Sequence, residues 1–363
     1  MGIKSYPKIY LIILNYNNWA DTIECLESVL RNDYPNYQVV VIDNNSSNNS
    51  MEYIKAWAEG KLNVWVKPDN PLRHFSFPPV FKPIPYVLYT CEEVDKGTYF
   101  EIEKKLERYI TKGITTKYPL VLIEAEKNLG FAGGNNIGIK YAFTKGDFSA
   151  IVLLNNDTVV SKNSISEIIN AWQKHEYKAI YSGRIFYYSD PNKIWYDGGH
   201  FNEWLGRTTH INIGKTKVPL KPLSEVNFVT FCFVLLPKEL IEEVGLLNEN
   251  YFMYVEDLDY SYRTKKRGYK LYHVSSAHIW HKVGASNNGE ISPFSAYWMM
   301  RNRIFFILSR LKLHKKITSI IFILLSRCYK FIFFCIKGKK NIVKSQIKGF
   351  CHGFKSTKNH KLH

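Results

Sequence analysis

The chain has 363 residues, 45% of them hydrophobic, which is enough for one large domain with an appendage and for a sizeable buried core. Its net charge is +17, yet 16 of the 49 lysines and arginines and none of the 32 acidic residues lie in residues 291–363, so the preceding part is almost neutral. The six cysteines include no Cys-x-x-Cys pair, which argues against a zinc site or a disulfide framework and favours reduced thiols in a cytosolic compartment.

Short apolar runs alternate with helical patterns in the first half of the chain. We predict strands at residues 9–14, 39–42, 62–66, 120–123 and 150–154, and a helix at about residues 19–30. Continuous apolar runs of this length are typical of parallel strands that are covered on both faces. The alternation predicts a doubly wound α/β sheet, and because the N-terminus runs almost directly into a strand, we expect no signal peptide.

Residues 69–117 interrupt this alternation with a proline-rich stretch and a charged segment, residues 98–111, that is predicted to be helical. We interpret them as an insertion into the sheet domain, since long excursions often serve as lids or partner surfaces. Strand-like runs follow at residues 179–236, then helices at 237–244, 256–267, 294–311 and 317–336, and a strand at 269–274. The predicted organisation is a domain at residues 1–290 and a basic, hydrophobic helical region at residues 291–363.

Polar side chains follow three of the predicted strands at the point where each strand ends. They are Asn15, Tyr16 and Asn17 after the first strand, Asp43, Asn44 and Asn45 after the second, and Asn155, Asn156 and Asp157 after the strand at residues 150–154. Asparagine and aspartate also favour turns, which would explain one such loop. Because ligands of open α/β sheets bind at the carboxyl ends of the strands, the three loops together favour a ligand site.

A glycine-rich segment, NLGFAGGNNIG, occupies residues 128–138. Paired glycines that lead into a helix let the backbone approach a phosphate, and the helix N-terminus favours its negative charge. The segment lacks the Lys-Ser/Thr of a P-loop, and its spacing differs from that of a dinucleotide fingerprint. Alone it is therefore a weak signal for phosphate binding.

Three carboxylates, those of Glu256, Asp257 and Asp259, lie within four residues beside several aromatic side chains. Their mutual repulsion would raise the pKa of at least one of them, and a carboxylate in that state can act as a general base. An acidic helix N-terminus, which the helix dipole favours, would explain the same cluster without a function. Farther along, the run HIWH at residues 278–281 follows a predicted strand. A lone histidine usually has a structural role, but one of these two could join Asp157 on a divalent metal ion.

Seven motifs occur in the order ILNYN, VIDNNS, NLGFAGGNNIG, LLNNDT, YFMYVEDLDYSYR, WHKVGAS and YWMMRNRIFF. This order resembles that of the family 2 glycosyltransferases, most closely their bacterial and archaeal rhamnosyltransferase-like branch. The resemblance covers roughly residues 8–68 and 119–310, and the third and fifth motifs are its most specific stretches. It implies a GT-A fold, a Rossmann-like nucleotide-sugar-binding sheet. The residues themselves add the predicted insertion and a C-terminal helical tail that we expect to associate with a membrane.

The resemblance also implies a role for each matching position. Asp257 is the expected catalytic base, with Glu256 and Asp259 near the acceptor, while Asp157 and His281 are expected to bind a divalent cation, Mn²⁺ or Mg²⁺. The positions expected to bind the donor are Asn15, Tyr16, Asn17, Asp43 and Asn45 for the base and ribose, Asn128, Gly130, Gly133, Gly134 and Asn135 for the nucleotide and diphosphate, and Asn155 and Asn156 in the metal-binding motif.

Besides the insertion at residues 69–117, the chain departs from the family pattern at three places. The metal-binding motif reads Asn-Asn-Asp at residues 155–157 and lacks its first carboxylate, which predicts a weaker metal affinity. Phe231 stands where a small residue is usual, and we expect it to narrow the nearby pocket and so to affect the identity of the donor or acceptor. Asn248-Glu249 replaces the usual Asp-Glu before the aromatic run.

The reaction implied is a single displacement that inverts the anomeric centre of the sugar. The cation offsets the charge that develops on the leaving diphosphate, and a carboxylate on the opposite face removes the proton of the acceptor hydroxyl. The first guess for the donor is deoxythymidine diphosphate rhamnose, by resemblance alone, with hexoses, N-acetylhexosamines and galactofuranose as alternatives. The expected acceptor is a glycan or lipid-linked glycan in the assembly of cell-surface polysaccharide or other glycans.

The C-terminal region contains an apolar run, residues 317–336, that is long enough to span a bilayer. Arg327 and Lys330 near its middle would each cost roughly 2.5–3.5 kcal/mol at the centre of a span. An interfacial helix on an anionic leaflet is therefore favoured over a single span, which places the protein peripherally on the cytoplasmic face of a membrane. Packing of this helix on the core, or on a second subunit in a homo-oligomer, is the alternative.

A second class of function, that of a binding protein, also fits these patterns. It could have the same fold with lost catalysis, or bind nucleic acid through the basic tail. Asp43, Asp157 and Asp257 are all present, whereas a degenerate enzyme should have lost one of them. Nucleic-acid binding predicts basic residues interleaved with exposed aromatic side chains along a groove, whereas here the charge flanks an aliphatic and aromatic run. The sequence therefore favours an enzyme at a lipid surface, without a nucleic acid partner.

Overall fold

A computed structural model describes residues 6–97, 103, 120–175, 178–283, 292–336 and 339–359 of the protein. The helices of these residues are α1 (Trp19–Val29), α2 (Ser50–Ala58), α3 (Cys91–Lys96), α4 (Gly130–Lys145), α5 (Ser164–Lys174), α6 (Lys238–Val244), α7 (Glu256–Lys266), α8 (Pro293–Arg310), α9 (Leu313–Ile336) and α10 (Lys340–Asn359), with short 3-10 turns at Arg73–Phe75 and Glu249–Tyr251. The strands are β1 (Ile9–Asn15), β2 (Tyr37–Asp43), β3 (Tyr86–Thr90), β4 (Leu120–Glu124), β5 (Ala150–Asn155), β6 (Thr158–Val160), β7 (Ile180–Tyr187), β8 (Ile194–Tyr196), β9 (Gly199–Asn202), β10 (Arg207–His210), β11 (Ser224–Val226), β12 (Phe233–Pro237) and β13 (Leu271–His281).

One large sheet has the strand order β11-β13-β7-β12-β5-β1-β2-β4-β3, with β6 beside β13 and β8 beside β7, while β9 and β10 form a separate antiparallel pair. Strands β3, β4, β2, β1 and β5 run parallel, and β12 is antiparallel to both β5 and β7. Asn15 pairs in register with Asp43, and Leu14 pairs with Asn155. The carboxyl ends of β1, β2 and β5 therefore lie side by side, as the sequence predicts.

Both faces of the sheet are covered by helices, and strand β1 shows the division. Ile9, Leu11 and Ile13 belong to a core shared with α1, α2 and α5, whereas Tyr10 and Ile12 belong to a core shared with α4 and α6. Successive side chains of a strand point to opposite faces, so a strand that is apolar at every position is buried on both sides. The structure confirms the predicted doubly wound α/β architecture.

One prediction in the region after β2 is wrong, namely the strand at residues 62–66. Residues 62–66 form no strand, although Val64 and Val66 are buried and Trp65 between them is exposed, because the edge position beside β4 is taken by β3. Strand β3 lies inside residues 69–117, so this predicted insertion contributes a strand to the sheet. The predicted helix at residues 98–111 lies outside the described residues except for residue 103.

The C-terminal helices fold back on one another. Helix α10, which the sequence analysis did not predict, packs along α8 through Gly349 and Gly353, where a Cβ atom would lie 2.5 Å from the carbonyl oxygen of Tyr297 and 2.7 Å from that of Arg301. Glycine at this spacing allows two helix backbones to approach closely. Among the described residues, we find no helix that combines the length and the apolar character needed to cross a membrane.

Candidate active site

Asp257 lies in the first turn of α7, at the start of which backbone N–H groups are free to bind a carboxylate. Its Oδ1 accepts a hydrogen bond of 2.7 Å from the backbone N–H of Leu258, and the nearby backbone of Phe231 and hydroxyl of Thr230 also favour its charged form. Burial nevertheless raises the pKa of Asp257 to about 7, because the charged form is cut off from water. A carboxyl group with this pKa can accept a proton near neutral pH.

Glu256 is the buried neighbour of Asp257, only 6% exposed, and its Oε2 has no hydrogen-bond partner within the described structure. Burial, and then the charge on Asp257, raise the pKa of Glu256 well above its usual value. Two adjacent carboxyl groups of this kind titrate as a pair, and one of them holds its proton when the other ionises. Both carboxyl groups thus have a raised pKa, and the role of Asp257 as the catalytic base stays a prediction.

The predicted metal ligands, Asp157 and His281, are brought together by the pairing of β6 with β13. Thr158 pairs with His281 in register, and the backbone N–H of Lys282 donates to the carbonyl oxygen of Asp157 at 2.9 Å. The Nε2 atom of His281 lies 3.0 Å from Oδ1 of Asp157. Burial disfavours both charges, but the attraction between them lowers the pKa of Asp157 and raises that of His281 well above its usual value.

These two side chains fit a divalent cation. Neighbouring ligands of an octahedral ion, each at about 2.1 Å, are separated by about 3.0 Å, which is the separation found here. Nearby, the Oδ1 atom of Asn155 is buried without a hydrogen-bond partner in the described part of the chain. No group of three or more His, Cys, Asp or Glu side chains suited to a metal occurs among the described residues, so further ligands would come from Asn155, water or a diphosphate.

Residues 230–232 connect the carboxylate site to the metal pair. The first two face Asp257 and favour its charged form, and the carbonyl oxygen of the third, Cys232, accepts a 3.0 Å hydrogen bond from the backbone N–H of Asn155. The thiol of Cys232 lies near His281, and the two groups affect each other's pKa. Phe231 does not narrow a pocket, contrary to the prediction, because its ring is 1% exposed and packs against Tyr260 in the core. The backbone of this segment thus contributes to the site, while the phenyl ring does not.

A network of polar side chains joins the ends of β1, β2 and β5. Asn15 donates to Asp43 at 2.6 Å and accepts from Thr22 at 2.9 Å, and Asn156 donates to Thr22 at 2.9 Å. Ser46 donates to Asp43 at 2.6 Å. The network fixes the floor of the predicted donor site, whereas Tyr16 and Asn45 are exposed at its edge and Asn17 binds the backbone of Ser47.

The glycine-rich segment is also brought to this edge, but its glycines have packing roles. A Cβ at Gly130 would lie 2.1 Å from the carbonyl oxygen of Phe252, in the loop before Asp257, and one at Gly134 would lie 2.4 Å from the side chain of Leu14. Gly133 is similarly crowded by Leu129. The segment therefore lets α4 lie close to the sheet and to the loop that leads to Asp257, and its contact with a nucleotide stays a prediction.

The asparagines of this segment bind protein groups. Asn128 accepts from the side chain of Asn44 and the backbone N–H of Gly130, each at 2.9 Å, and Asn135 donates to the carbonyl oxygen of Phe131 at 2.9 Å. These bonds hold the turn from β4 into α4 against the end of β2. The donor contacts predicted for Asn128 and Asn135 likewise stay predictions.

Asp259 does not agree with its predicted contact to the acceptor. Its side chain is fully buried and forms ion pairs with Arg263 at 2.8 Å and Arg310 at 2.7 Å, and Tyr251 donates to it at 3.2 Å. A carboxylate whose oxygens are occupied in this way ties α7 to the end of α8. Asp259 is therefore an anchor of the helix that carries Asp257.

The sequence analysis missed residues on α8 that hold this site. Asn302 donates to the carbonyl oxygens of Tyr251, Met253 and Tyr254, and Arg301 donates to that of Asn250. Both belong to the motif YWMMRNRIFF. The motif could have suggested a buried polar pair, because Arg and Asn stand within an otherwise apolar helix.

The sheet, in which the carboxyl ends of β1, β2 and β5 lie side by side, defines a protein of the GT-A class. The sequence matches Glycosyl transferase family 2 over residues 10–70 and 101–245, which is more than half of the chain. The chain therefore belongs to glycosyl transferase family 2.

Two curated proteins illustrate the relationship. The chain is 25% identical to the low-salt glycan biosynthesis hexosyltransferase Agl10 of Haloferax volcanii over 188 residues, 50% of this chain and 58% of that protein. It is 25% identical to the uncharacterized protein Rv1525 of Mycobacterium tuberculosis over 172 residues, 47% of this chain and 61% of that protein. The matched part thus spans about three fifths of each of these relatives.

Two solved structures resemble the whole fold. GalNAc-T7 with UDP, GalNAc and Mn²⁺ superposes with a TM-score of 0.53 and 13% identity, covering 86% of this chain and 50% of that one. The mannosyltransferase PcManGT of Pyrobaculum calidifontis, in complex with GDP-Man and Mn²⁺, superposes with a TM-score of 0.50 and 11% identity, covering 98% and 87%. At these identities the similarity supports the fold alone.

Proposed function

We propose that the protein is an inverting glycosyltransferase that moves a sugar from a nucleoside diphosphate sugar to a hydroxyl of a glycan or lipid-linked glycan. The observation that carries the proposal is the segment at residues 230–232, which lies beside Asp257 at one end and beside the Asp157–His281 pair at the other. A single displacement needs a base for the acceptor and a site for the leaving diphosphate. The short segment holds candidates for both.

Asp257 is the proposed base. Its pKa of about 7 lets it accept the proton of the acceptor hydroxyl near neutral pH, and the bond from the backbone N–H of Leu258 orients its carboxylate. Glu256, whose pKa is raised further by burial and by the charge on Asp257, keeps its proton and can donate a hydrogen bond to the acceptor. This division of roles depends on both carboxyl groups being buried.

Asp157 and His281 are the proposed ligands of Mn²⁺ or Mg²⁺. When bound, the cation offsets the negative charge that develops on the leaving diphosphate. Asn155 stands where the family motif has a carboxylate, and its buried, unpartnered Oδ1 is suited to supply a neutral ligand. Amide oxygen binds a cation less strongly than carboxylate does, so we expect a comparatively weak metal site.

The donor is proposed to bind over the network of Asn15, Asp43 and Asn156, with its base beside the exposed ring of Tyr16. Agl10 is named a hexosyltransferase, and the two solved structures contain UDP with GalNAc or GDP-Man, which supports a nucleotide sugar as donor class. Deoxythymidine diphosphate rhamnose stays the first guess for the particular donor. It rests on the motif resemblance alone.

A panel of nucleotide sugars tests this function. The purified protein is incubated with each donor, Mn²⁺ or Mg²⁺ and a lipid-linked acceptor extract, and the released nucleoside diphosphate is measured. We expect cation-dependent release from one donor, lost in Asp157→Ala and Asp257→Asn and retained in Asp147→Asn, whose side chain is partly exposed and pairs with Lys8 at the surface. No release from any donor, together with no thermal shift by any nucleotide, would instead favour a binding protein.

We also propose that the protein works peripherally at an anionic membrane surface on its cytoplasmic face. The support is the face of α9 formed by Leu313, Ile317, Ile321, Leu324 and Leu325, all of which are about half exposed or more. These side chains recur every three or four residues and therefore share one side of the helix. The surrounding region, residues 291–363, carries 16 basic and no acidic residues, a composition that suits lipid phosphates.

Sedimentation with vesicles tests the membrane proposal. We expect the full chain to pellet with vesicles that contain phosphatidylglycerol but not with pure phosphatidylcholine, and to be released by high salt. The double variant Ile321→Glu/Leu325→Glu should stay in the supernatant, while Leu220→Glu, an exposed leucine of the sheet domain, should pellet like the parent. Recovery of the parent chain in the supernatant at low salt would refute the proposal.

A further inference from the structure

The loop that leads into Asp257 has an unusual backbone. Phe252, Tyr254 and Val255 have φ angles of 49°, 68° and 76°, in the left-handed region that favours glycine. Such conformations cost of order 1–3 kcal/mol each and persist only where the surroundings enforce them, and a β-branched residue such as Val255 is an outlier there. Contacts from elsewhere in the fold must therefore hold this loop, and whatever holds it also sets the position of Asp257.

The side chain of Asn302 on α8 supplies that restraint. Its Nδ2 donates to the carbonyl oxygens of Tyr251 at 2.5 Å, Met253 at 2.8 Å and Tyr254 at 2.9 Å. Asn302 is fully buried, so these carbonyl oxygens meet an amide rather than water. The three converging carbonyl oxygens of the loop require a short side chain with an N–H₂ group. An apolar residue of the same size would leave these oxygens without a hydrogen-bond donor.

Arg301 extends the restraint to the C-terminal helix. Its Nη1 donates to Oδ1 of Asn302 at 2.7 Å and to the carbonyl oxygen of Asn250, and its Nη2 donates to Oγ of Ser356 on α10 at 2.9 Å. The bond to Oδ1 orients the amide of Asn302 so that its N–H₂ group faces the loop. Since α10 packs on α8 through Gly349 and Gly353, the C-terminal helix supports the same arrangement.

We propose that Asn302 is a positioning residue for catalysis, which sets the direction of Asp257 by holding residues 251–254, and that Arg301 orients it from the side of α10. The inference rests on the proposed role of Asp257 as the base. It assigns to α8 a function in the reaction that acts through the loop before Asp257. A displacement of about 1 Å in a catalytic group can lower the rate about 100-fold.

Three substitutions test the proposal with the full chain. Asn302→Asp keeps the size but replaces the donating N–H₂ by an acceptor, Asn302→Ala removes the group, and Asn302→Gln keeps an amide on a longer stem. The matched control is Arg303→Ala, which removes bonds to the carbonyl oxygens of Leu205 and Gly206 from the same helix, but away from the loop before Asp257. For each variant we would measure kcat, KM for the donor, the pH profile and nucleoside diphosphate binding by calorimetry.

We expect kcat of Asn302→Asp and Asn302→Ala to fall about 100-fold, with KM for the donor and diphosphate affinity within about threefold of the parent. Asn302→Gln should recover part of kcat, and the acid limb of the pH profile should shift in the Asp and Ala variants as the surroundings of Asp257 relax. Arg303→Ala should keep kcat within about threefold even where it lowers the melting temperature.

Two results would overturn the proposal. One is a parent-like kcat in Asn302→Asp, and the other is an equal loss of kcat in Arg303→Ala, which would show that α8 acts only through stability. If the parent chain itself turns over no donor, the proposed function fails first, and this outcome differs from an active parent whose Asn302 variants are also fully active. Circular dichroism of every variant separates loss of the fold from loss of positioning.

Discussion

Asp257 and Asp157 belong to the same candidate site, but their surroundings shift their pKa values in opposite directions. Asp257 is buried and accepts a hydrogen bond from the neutral backbone N–H of Leu258, and burial raises its pKa to about 7. Asp157 is buried as well, but the positive charge of His281 outweighs that burial and keeps its pKa below the usual value. Asp257, which can exchange a proton near neutral pH, is suited to proton transfer. Asp157, which stays ionised there, is suited to binding a cation.

The pH dependence of the reaction follows from Asp257. The base must be ionised to accept a proton, so kcat/KM should rise with pH and level off above the pKa of about 7. Below that pH it should fall by about tenfold per unit. The profile is measured with saturating cation between about pH 5 and 9, and a flat profile down to about pH 5 would show that Asp257 does not act as the base.

The stability of the protein should respond in the opposite direction. The pKa of Asp257 in the folded protein, about 7, lies above its ordinary value of 3.8. The folded protein therefore gains stability from the neutral carboxyl group; this gain is complete below about pH 3.8 and is lost as the pH rises through about 7. An asparagine side chain at this position would mimic the neutral form. Asp257→Asn should therefore raise the melting temperature over that of the parent more at about pH 8 than at about pH 5, and an equal difference at both would contradict the burial argument.

At the scale of helices and strands, sequence patterns predict most of the elements correctly, but they also give the clearest wrong prediction. The apolar runs of β1, β2, β4 and β5 identify parallel strands because burial on both faces leaves no polar positions. Residues 62–66 have a strand-like pattern too, but hydrogen bonding to β4 is decided by competition with β3, which lies farther along the chain. A local pattern reports burial, whereas the partner of a strand depends on the whole sheet.

The candidate site shows the same division. Asp157, Asp257 and His281 could be predicted because carboxylates and histidines are recognisable by type and by motif, and the structure places each at an element end. Asp259 belongs to the same acidic motif, yet the structure pairs it with Arg263 and Arg310. The role of Asn302 could not be predicted, because it depends on the backbone of a loop about fifty residues earlier in the chain.

The contact between α8 and α10 gives a prediction at the scale of the helix pair. A Cβ at Gly353 would lie 2.6 Å from Cβ of Ile304 and 2.7 Å from the carbonyl oxygen of Arg301, so Gly353→Leu should separate the helices and cost about 1–3 kcal/mol. Urea denaturation measures the loss. Cys351→Leu, on the exposed side of the same helix, is the control, and an equal effect in both variants would contradict the close packing.

Across the whole molecule, the excess positive charge and the proposed catalytic residues lie in different parts of the chain. The sheet domain is almost neutral and holds the proposed donor and base sites, whereas the C-terminal helices carry the excess of positive charge and an exposed apolar face. Helix α8 joins the two parts, because Asn302 holds the loop before Asp257 and Arg301 reaches α10. A protein of this construction could place its base at a defined distance from a lipid surface, which suits a lipid-linked acceptor.

The central claim is that Asp257 drives a single displacement at the sugar. The most direct measurement is the anomeric configuration of the product, followed by proton NMR from a donor of known configuration, with parent and Asp257→Asn side by side. We predict an inverted product from the parent and none from Asp257→Asn, although this variant still binds nucleoside diphosphate. A product that retains the donor's configuration, or normal transfer by Asp257→Asn, would contradict the claim.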